Sequence, residues 1–439
     1  MVSNVTRPTS TGWRRLSPVS MVSNSNRHIS SARLLGAFAL GCIFFAYGFV
    51  HRVAPSVMTG ELMRDFSVGG SALGSLSAMY FYAYVSLQIP VGLLMDKFGP
   101  HKLMTGALIL CAVASFSISV SETLSTASVS RLVIGGSVAF AFVGSLTILT
   151  RWFVPERFSM YAGVLQSCGM IGAILGQAPL RIVVEQYHWR GAMSVLAAVA
   201  LVLAIAAFVI IPRRSKLNSS DCTTNTHGSF AAIIKQPGNW FCVLAGFGLT
   251  APMLGFSALW AVPWLTSVHG FDHTHSAGIA SMVFIGWLIF APVAGWISDR
   301  SGRRRSVLIV GGSISLIALI VILTIETNSV WLMGVLFFIQ GAGGCTMIIC
   351  FSVIREYNPH GNTSAALGML NTFVVGSGAV MQPLIGFVLD SQWAGKLQDG
   401  ARIYEASNYN RAFLPLIIAN ALAIGFCMLL KRTDRAIHY

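Results

Sequence analysis

Three arginines stand inside long apolar runs of this 439-residue chain: Arg52, Arg131 and Arg181. None of the chain's 15 acidic residues falls in the middle of such a run. A charge within a membrane span is costly and is a functional candidate by default. With no intramembrane carboxylate to pair with, the natural counter-ion of Arg52 and Arg131 is an anionic solute. Arginine suits that role because its planar fork binds a carboxylate or phosphate through two hydrogen bonds. Counted along the apolar runs, Arg52 lies about 27 Å from one face and Arg131 about 8 Å below the opposite one, so they share a depth. The plainer alternative is that Arg52 snorkels to the outer interface and pairs with Glu61 or Asp65. Arg181, near the end of its span, reads as a snorkelling residue. His51 can carry a proton, since its unperturbed pKa is accessible near neutrality, or it packs between helices. Tyr80, Tyr84 and Gln88 share one helix face at i, i+4, i+8 spacing. Gln166, Gln340 and Asn371 lie near mid-membrane, where amides either orient a solute or join helices. Trp260 and Trp264, around Pro263, read as interface anchors.

These residues need a membrane scaffold, and the composition supplies one. Hydrophobic residues make up 54% of the chain and charged ones 10%, against about 25% charged in soluble domains. The net charge of +14 resides in short loops between apolar runs, which answers to membrane topology and not to nucleic acid. Twelve runs reach spanning length: 34–57, 70–94, 102–120, 126–150, 158–182 and 191–212, then 239–266, 275–298, 305–325, 329–354, 363–389 and 411–431. The expected organisation is a cytoplasmic tail at 1–32, a six-helix half at 33–212, a linker at 213–238, a second half at 239–431 and a tail at 432–439. Met1-Val-Ser-Asn recurs as Met21-Val-Ser-Asn, so Met21 is an alternative start. Of the 29 Lys and Arg residues, 21 fall on the side of the two tails and the linker, which places both termini in the cytoplasm.

Two loops repeat. Gly92-Leu-Leu-Met-Asp96-Lys97-Phe-Gly99-Pro100 is echoed by Gly295-Trp-Ile-Ser-Asp299-Arg300-Ser-Gly302-Arg303. Each is a tight polar turn between antiparallel helices, with Gly99 or Gly302 free to take the backbone conformation that ends a helix and Pro100 suited to the next first turn. Arg151-x-x-x-Pro155 likewise matches Arg355-x-x-x-Pro359. Parallel six-helix repeats are the architecture of one transporter class.

On these motifs, with Arg131-Leu-Val-Ile-Gly135 and Trp189-Arg190, the chain resembles the major facilitator superfamily from the first span to the last, nearest to its anion:cation symporter and organophosphate exchanger branches. The resemblance implies an all-α fold of twelve helices in two pseudo-symmetric halves, spans 1, 4, 7 and 10 around a central cavity, and transport by alternating access. His51-Arg52 stands where anion:cation symporters tend to carry Asp-Arg, and Val138 stands where that group often has Glu, so the usual carboxylate route for proton coupling is missing. Span 5 lacks the Gly-Pro pair typical of drug/proton antiporters.

The expected activity is secondary active transport of a small organic anion, a carboxylate or sugar acid, with H+ as candidate co-substrate. The substrate contacts would be Arg52, Arg131, Tyr80, Tyr84, Gln88, Gln166, Gln340 and Asn371, with His51 for the proton. Gly92, Asp96, Gly99, Arg151, Gly295, Asp299 and Gly302 would form the conformational gate. A phosphate-ester exchanger, a dipeptide carrier of the lysosomal type and a non-transporting sensor are the alternatives. The spans contain no paired carboxylates, metal-ligand cluster or nucleophile–base spacing, so no enzyme, cofactor or metal is expected. The eight cysteines read as packing residues. A monomer in the plasma membrane (the inner one in a bacterium), with the bilayer and its solute as partners, completes the reading.

Overall fold

The computed structural model describes residues 30–153, 158–213, 230–358, 363–398 and 400–430. The expected tails apart from residues 30–32, most of the linker, and Pro155 and Pro359 lie outside these residues, as does the side chain of Asp96.

The N-terminal half comprises α1 (Ser31–Val53), a short α2 (Thr59–Asp65), α3 (Gly70–Phe98), α4 (Pro100–Ser119), α5 (Leu124–Trp152), α6 (Phe158–Leu175) and α7 (Ala178–Ile210). The C-terminal half comprises a short α8 (Phe230–Lys235), α9 (Pro237–Ala251), α10 (Ala261–His269), α11 (His273–Ser301), α12 (Arg304–Thr324), α13 (Val330–Gly344), α14 (Ile348–Tyr357), α15 (Thr363–Ser391), a short α16 (Ala406–Ala412) and α17 (Leu414–Leu429). A two-residue hairpin, Leu397–Gln398 with Ala401–Arg402, precedes α16. Among the described residues, ten segments are long and apolar enough to cross a bilayer. One of them, Tyr161–Ile210, covers most of two expected spans, and α3, the expected second span, is not among the ten.

Residues such as Leu201, Val202, Ile205 and Val209 of α7, and Val310 and Ile317 of α12, remain exposed. A belt of this kind suits hydrocarbon, where the backbone is satisfied within each helix and apolar side chains need no protein cover. The two loop motifs behave as read. Gly99 (φ 76°) closes α3 by donating to the Met95 carbonyl, and Gly302 (φ 64°) closes α11 by donating to Ser298. Positive φ is the reason glycine stands at both places.

The repeat extends into the packing. A Cβ on Gly135 of α5 would stand 2.1 Å from the Tyr80 carbonyl of α3, and one on Gly341 of α13 would stand 2.1 Å from the Val283 carbonyl of α11. Each half thus brings two helix backbones together at one glycine, as small residues permit in membranes.

Several expected spans are interrupted, the tenth by a 3₁₀ turn at Cys345–Met347 between α13 and α14. After α1, a 3₁₀ segment at Ala54–Met58 begins with Pro55 near its start, which lacks the donor an α-helix needs. α6 ends at Gly176–Gln177 inside the expected fifth span, and α7 is itself broken at His188 (φ 56°). The expected seventh span has a π-helical stretch at Pro252–Trp260 between α9 and α10. Apolar length cannot register such breaks.

The halves meet chiefly at the end opposite the loop motifs. There Asp390 of α15 accepts from the backbone of Gly70 (3.0 Å) and Ser71 (2.8 Å) at the start of α3. Tyr404 donates to Asp390 (2.6 Å), and its hydroxyl accepts from Gly70 (2.8 Å). Gln177 donates to the Ser257 carbonyl, and Thr274 to Glu185. A carboxylate at a helix N-terminus satisfies amides that have no partner within the helix. No cross-half hydrogen bond appears at the motif end among the described residues.

Candidate functional site

Arg52 occupies the last turn of α1, directly before the Pro55 break. Its guanidinium carbon lies 4.0 Å from the Phe49 ring centroid, 5.2 Å from Tyr84, 5.7 Å from Tyr80 and 5.8 Å from Phe81. Arg131, on α5, faces the same Tyr80 ring at 5.2 Å. The two cations therefore converge on one aromatic cluster from two helices. Tyr80 and Tyr84 stack in parallel at 6.2 Å, and the Tyr80 hydroxyl donates to the Gly48 carbonyl (2.9 Å), which fixes the platform. Aromatic faces attract a cation without neutralising it.

Both arginines are buried, 4% and 3% exposed, and no ion pair among the described residues includes either. Arg131 donates one bond, from Nη1 to the His51 carbonyl (2.7 Å). Its Nε and Nη2, and the Nε of Arg52, are buried without partners. Buried donors of this sort are costly unless something accepts from them. Phe81, one wall of the cluster, reaches the other half, for a Cβ on Gly378 of α15 would stand 2.9 Å from its ring.

The snorkelling alternative for Arg52 does not hold. Glu61 pairs with Arg181 (2.7 Å), and Asp65 is held by Arg190 (2.5 Å), Arg64 and the Trp189 indole. Arg181 is fully engaged, donating also to Glu185 (3.0 Å) and the Val57 carbonyl (2.8 Å). Of the three span arginines, it alone has carboxylate partners among the described residues.

The His51 ring faces away from this cluster. It is fully buried, with Nε2 2.7 Å from the Tyr47 hydroxyl and 3.4 Å from Ser115 of α4, while Nδ1 has no partner. Gln88, half-buried one turn beyond Tyr84, has an unpartnered Nε2. Gln166 lines a separate cavity of about 270 Å³ between the halves, with Trp287 of α11 and Ser352 of α14. Gly295, Asp299 and Arg304 form its motif-end wall.

Gln340 is not brought to either place. Its amide donates to Ser315 of α12 (3.2 Å), which also accepts from Asn420 of α17 (3.1 Å). That is an interhelix joint within one half. Asn371 is half-buried on α15. Trp260 and Trp264 are buried, not interfacial, and the Trp260 indole donates to the Gln382 carbonyl (3.0 Å). Among the gate residues, Arg151 donates to the Met95 carbonyl at the end of α3 (3.0 Å), while Arg304 joins Asp299 (3.2 Å) to Glu356 (2.9 Å). Gly92 and Gly295 face open space. Sequence reasoning assigned no role to Asp390 or Gln177, which bond one half to the other.

Residues 37–277 and 241–436 each match the family model described as Major Facilitator Superfamily. The chain belongs to the major facilitator superfamily. It is a multi-pass membrane transporter of that superfamily and not an enzyme. This facilitator is 23% identical to a probable sulfoacetate transporter of Cupriavidus necator, over 80% of its own chain and 86% of the relative's. It is 23% identical to a gentisate transporter of Corynebacterium glutamicum, covering 93% and 90% of the two chains. A probable galactarate/D-glucarate transporter of Bacillus subtilis is 20% identical, over 84% and 88%. Among solved structures, a bacterial homologue of the human lysosomal transporter Spinster, inward-facing and unoccupied, superimposes with a TM-score of 0.75 at 14% identity, covering 92% of this facilitator and 98% of that chain. The nucleoside transporter NupG gives 0.71 at 14% identity, over 91% and 99%. At these identities the structures speak for the fold alone.

Proposed function

We propose that this facilitator carries a small organic anion, a carboxylate or sugar acid, and that Arg52 and Arg131 receive its charge. The observation that carries the proposal is the convergence of two buried, carboxylate-free guanidiniums on the Tyr80 ring. The relatives named as sulfoacetate, gentisate and galactarate/D-glucarate transporters support the same class of solute. Twelve spans, a cytoplasmic motif end with both termini, and a monomer in the plasma membrane complete the proposal. In that orientation the contacts at Asp390 and Gln177 close the outer end, which fits an inward-facing state. Transport then follows from rocking of the halves about the cluster, with Phe81 touching both.

Proton coupling through His51 is the second element. An anion between the guanidiniums offsets their charge, so anion binding and proton uptake by the adjacent imidazole favour one another, and by linkage the coupling is reciprocal. Tyr47 and Ser115 are the polar groups in reach of the ring. In proteoliposomes presented with a panel of organic acids, uptake is expected to rise under an inward proton gradient. His51→Gln is expected to remove that rise while changing equilibrium anion affinity only a few-fold. Undiminished acid stimulation in the variant would assign the proton to another group, and uptake of neutral solutes only would refute the anion reading.

A further inference from the structure

Three of the helix breaks meet at one side chain. Gln177 stands in the break between α6 and α7, fully buried, with backbone angles (φ −103°, ψ −111°) that belong to neither helix. Its Oε1 accepts from the Ser56 hydroxyl (3.1 Å), in the 3₁₀ segment Ala54–Met58 that directly follows the turn carrying Arg52. Its Nε2 donates to the Ser257 carbonyl (3.3 Å), inside the π-helical stretch Pro252–Trp260 of the other half. Ser56 and Ser257 are buried as well, 1% and 0% exposed. A side-chain amide suits this place because it accepts at one atom and donates at another. One neutral group thus joins the chain leaving the arginine site to an irregular segment across the interface.

The π-helical stretch is held from two sides. Turns of this kind are rare and concentrate at functional sites. Here Gln177 bonds the Ser257 carbonyl, and Gln382 of α15 donates to the Leu254 carbonyl (2.8 Å). Gln382 acts within its own half, whereas Gln177 crosses between the halves.

The far end of the stretch reaches the closure itself. A Cβ on Gly70, at the start of α3, would stand 3.1 Å from the Trp260 ring. Gly70 is also where Asp390 and Tyr404 bond the first half. Relaxing the stretch to an α-helix by one residue would turn everything beyond it by about 100°, and would carry Trp260 away from Gly70. The bond at Ser257 therefore bears on whether this end stays shut.

We propose that Gln177 is a positioning residue of the transport cycle, coupling the segment beside Arg52 to the π-helical segment of the opposite half. The proposal rests on Arg52 as the anion site: a solute drawn to Arg52 acts on the end of α1, and Ser56 and Gln177 pass that displacement to the closure. The test is hydrogen–deuterium exchange of the full-length protein in nanodiscs, read at residues 252–260. Wild type is compared with Ser56→Ala, Gln177→Met, the double variant and Thr59→Ala. Thr59 is the control, since its hydroxyl bonds the Pro55 and Ser56 carbonyls beside it (2.9 and 3.1 Å). Loss of a buried neutral hydrogen bond shifts a local opening by roughly three- to tenfold. Exchange is expected to quicken by about that factor in Ser56→Ala, although that substitution lies in the other half, and by at least as much in Gln177→Met. The double variant is expected to match Gln177→Met, because both changes break one chain of bonds. Thr59→Ala is expected to leave residues 252–260 as in wild type. Benzoate, gluconate and ethanesulfonate are then added as probe anions, and one that slows this exchange in wild type is expected to lose the effect in both single variants. Quickening in Gln177→Met alone, or additive effects in the double variant, would make the amide a simple latch and overturn the coupling. Quickening in both single variants, with none of the anions acting on wild type, would count against the anion reading of Arg52 and leave the coupling supported.

Discussion

Arg52→Ala is expected to weaken equilibrium binding of the transported anion by roughly one to two decades, because a charge-assisted hydrogen bond is worth about 1.5–3 kcal/mol. Arg52→Lys keeps the charge but loses the two-pronged geometry and the flat contact with Phe49, so it is expected to recover only part of the affinity. The ligand-free protein should respond in the opposite sense. Arg52 is 4% exposed and has no carboxylate partner among the described residues, so it carries a desolvation cost that its aromatic neighbours offset only in part. Arg52→Met is therefore expected to raise the unfolding temperature of the empty transporter while removing anion binding. A structural arginine gives the reverse pattern, with lower stability and unchanged affinity in both variants.

Gly386→Ala is expected to cut transport at least tenfold without unfolding either half. The added Cβ would stand 2.1 Å from the Gly70 carbonyl, across the interface that closes the end opposite the loop motifs. Gly74→Ala acts from the other side, 2.5 Å from the Gln382 carbonyl. Overpacking of this kind costs about 1–3 kcal/mol, which moves a two-state equilibrium by about one to two decades. Both variants should populate the alternate state, with faster cysteine labelling at the opened end. Gly135→Ala provides the contrast, since its Cβ would meet the Tyr80 carbonyl within one half. That substitution should lower the unfolding temperature and leave the balance between states nearly unchanged. Loss of stability in Gly386→Ala with no change in labelling would mean that the contact holds the fold together and does not set the state.

Much of this was legible in the sequence because membrane constraints act along the chain. Apolar length marks the helices, and the repeated loops mark the two halves. The charge imbalance among the spans marks Arg52 and Arg131. Rotation about a helix axis is not encoded so plainly. Counting residues places Gln340 at the right depth for a solute contact, but packing turns its amide toward Ser315 and Asn420. His51 and Arg52 are neighbours in sequence, yet one faces Tyr47 and the other the aromatic cluster. The choice between a binding and a snorkelling Arg52 rested on where Glu61 goes, and that depends on Arg181, 120 residues away. Asp390 looks like any helix-end acid until the start of α3 is brought against it.

The central claim is that the bound solute supplies the negative charge missing around Arg52 and Arg131. Its most direct test is competition binding to the purified transporter by an organic acid and its neutral amide, matched in shape, against wild type, Arg52→Ala and Arg131→Ala. The account predicts that wild type prefers the acid by at least tenfold, and that each alanine variant loses most of that preference chiefly by binding the acid less well. Equal affinity for acid and amide in wild type, or a preference that survives both substitutions, would contradict it.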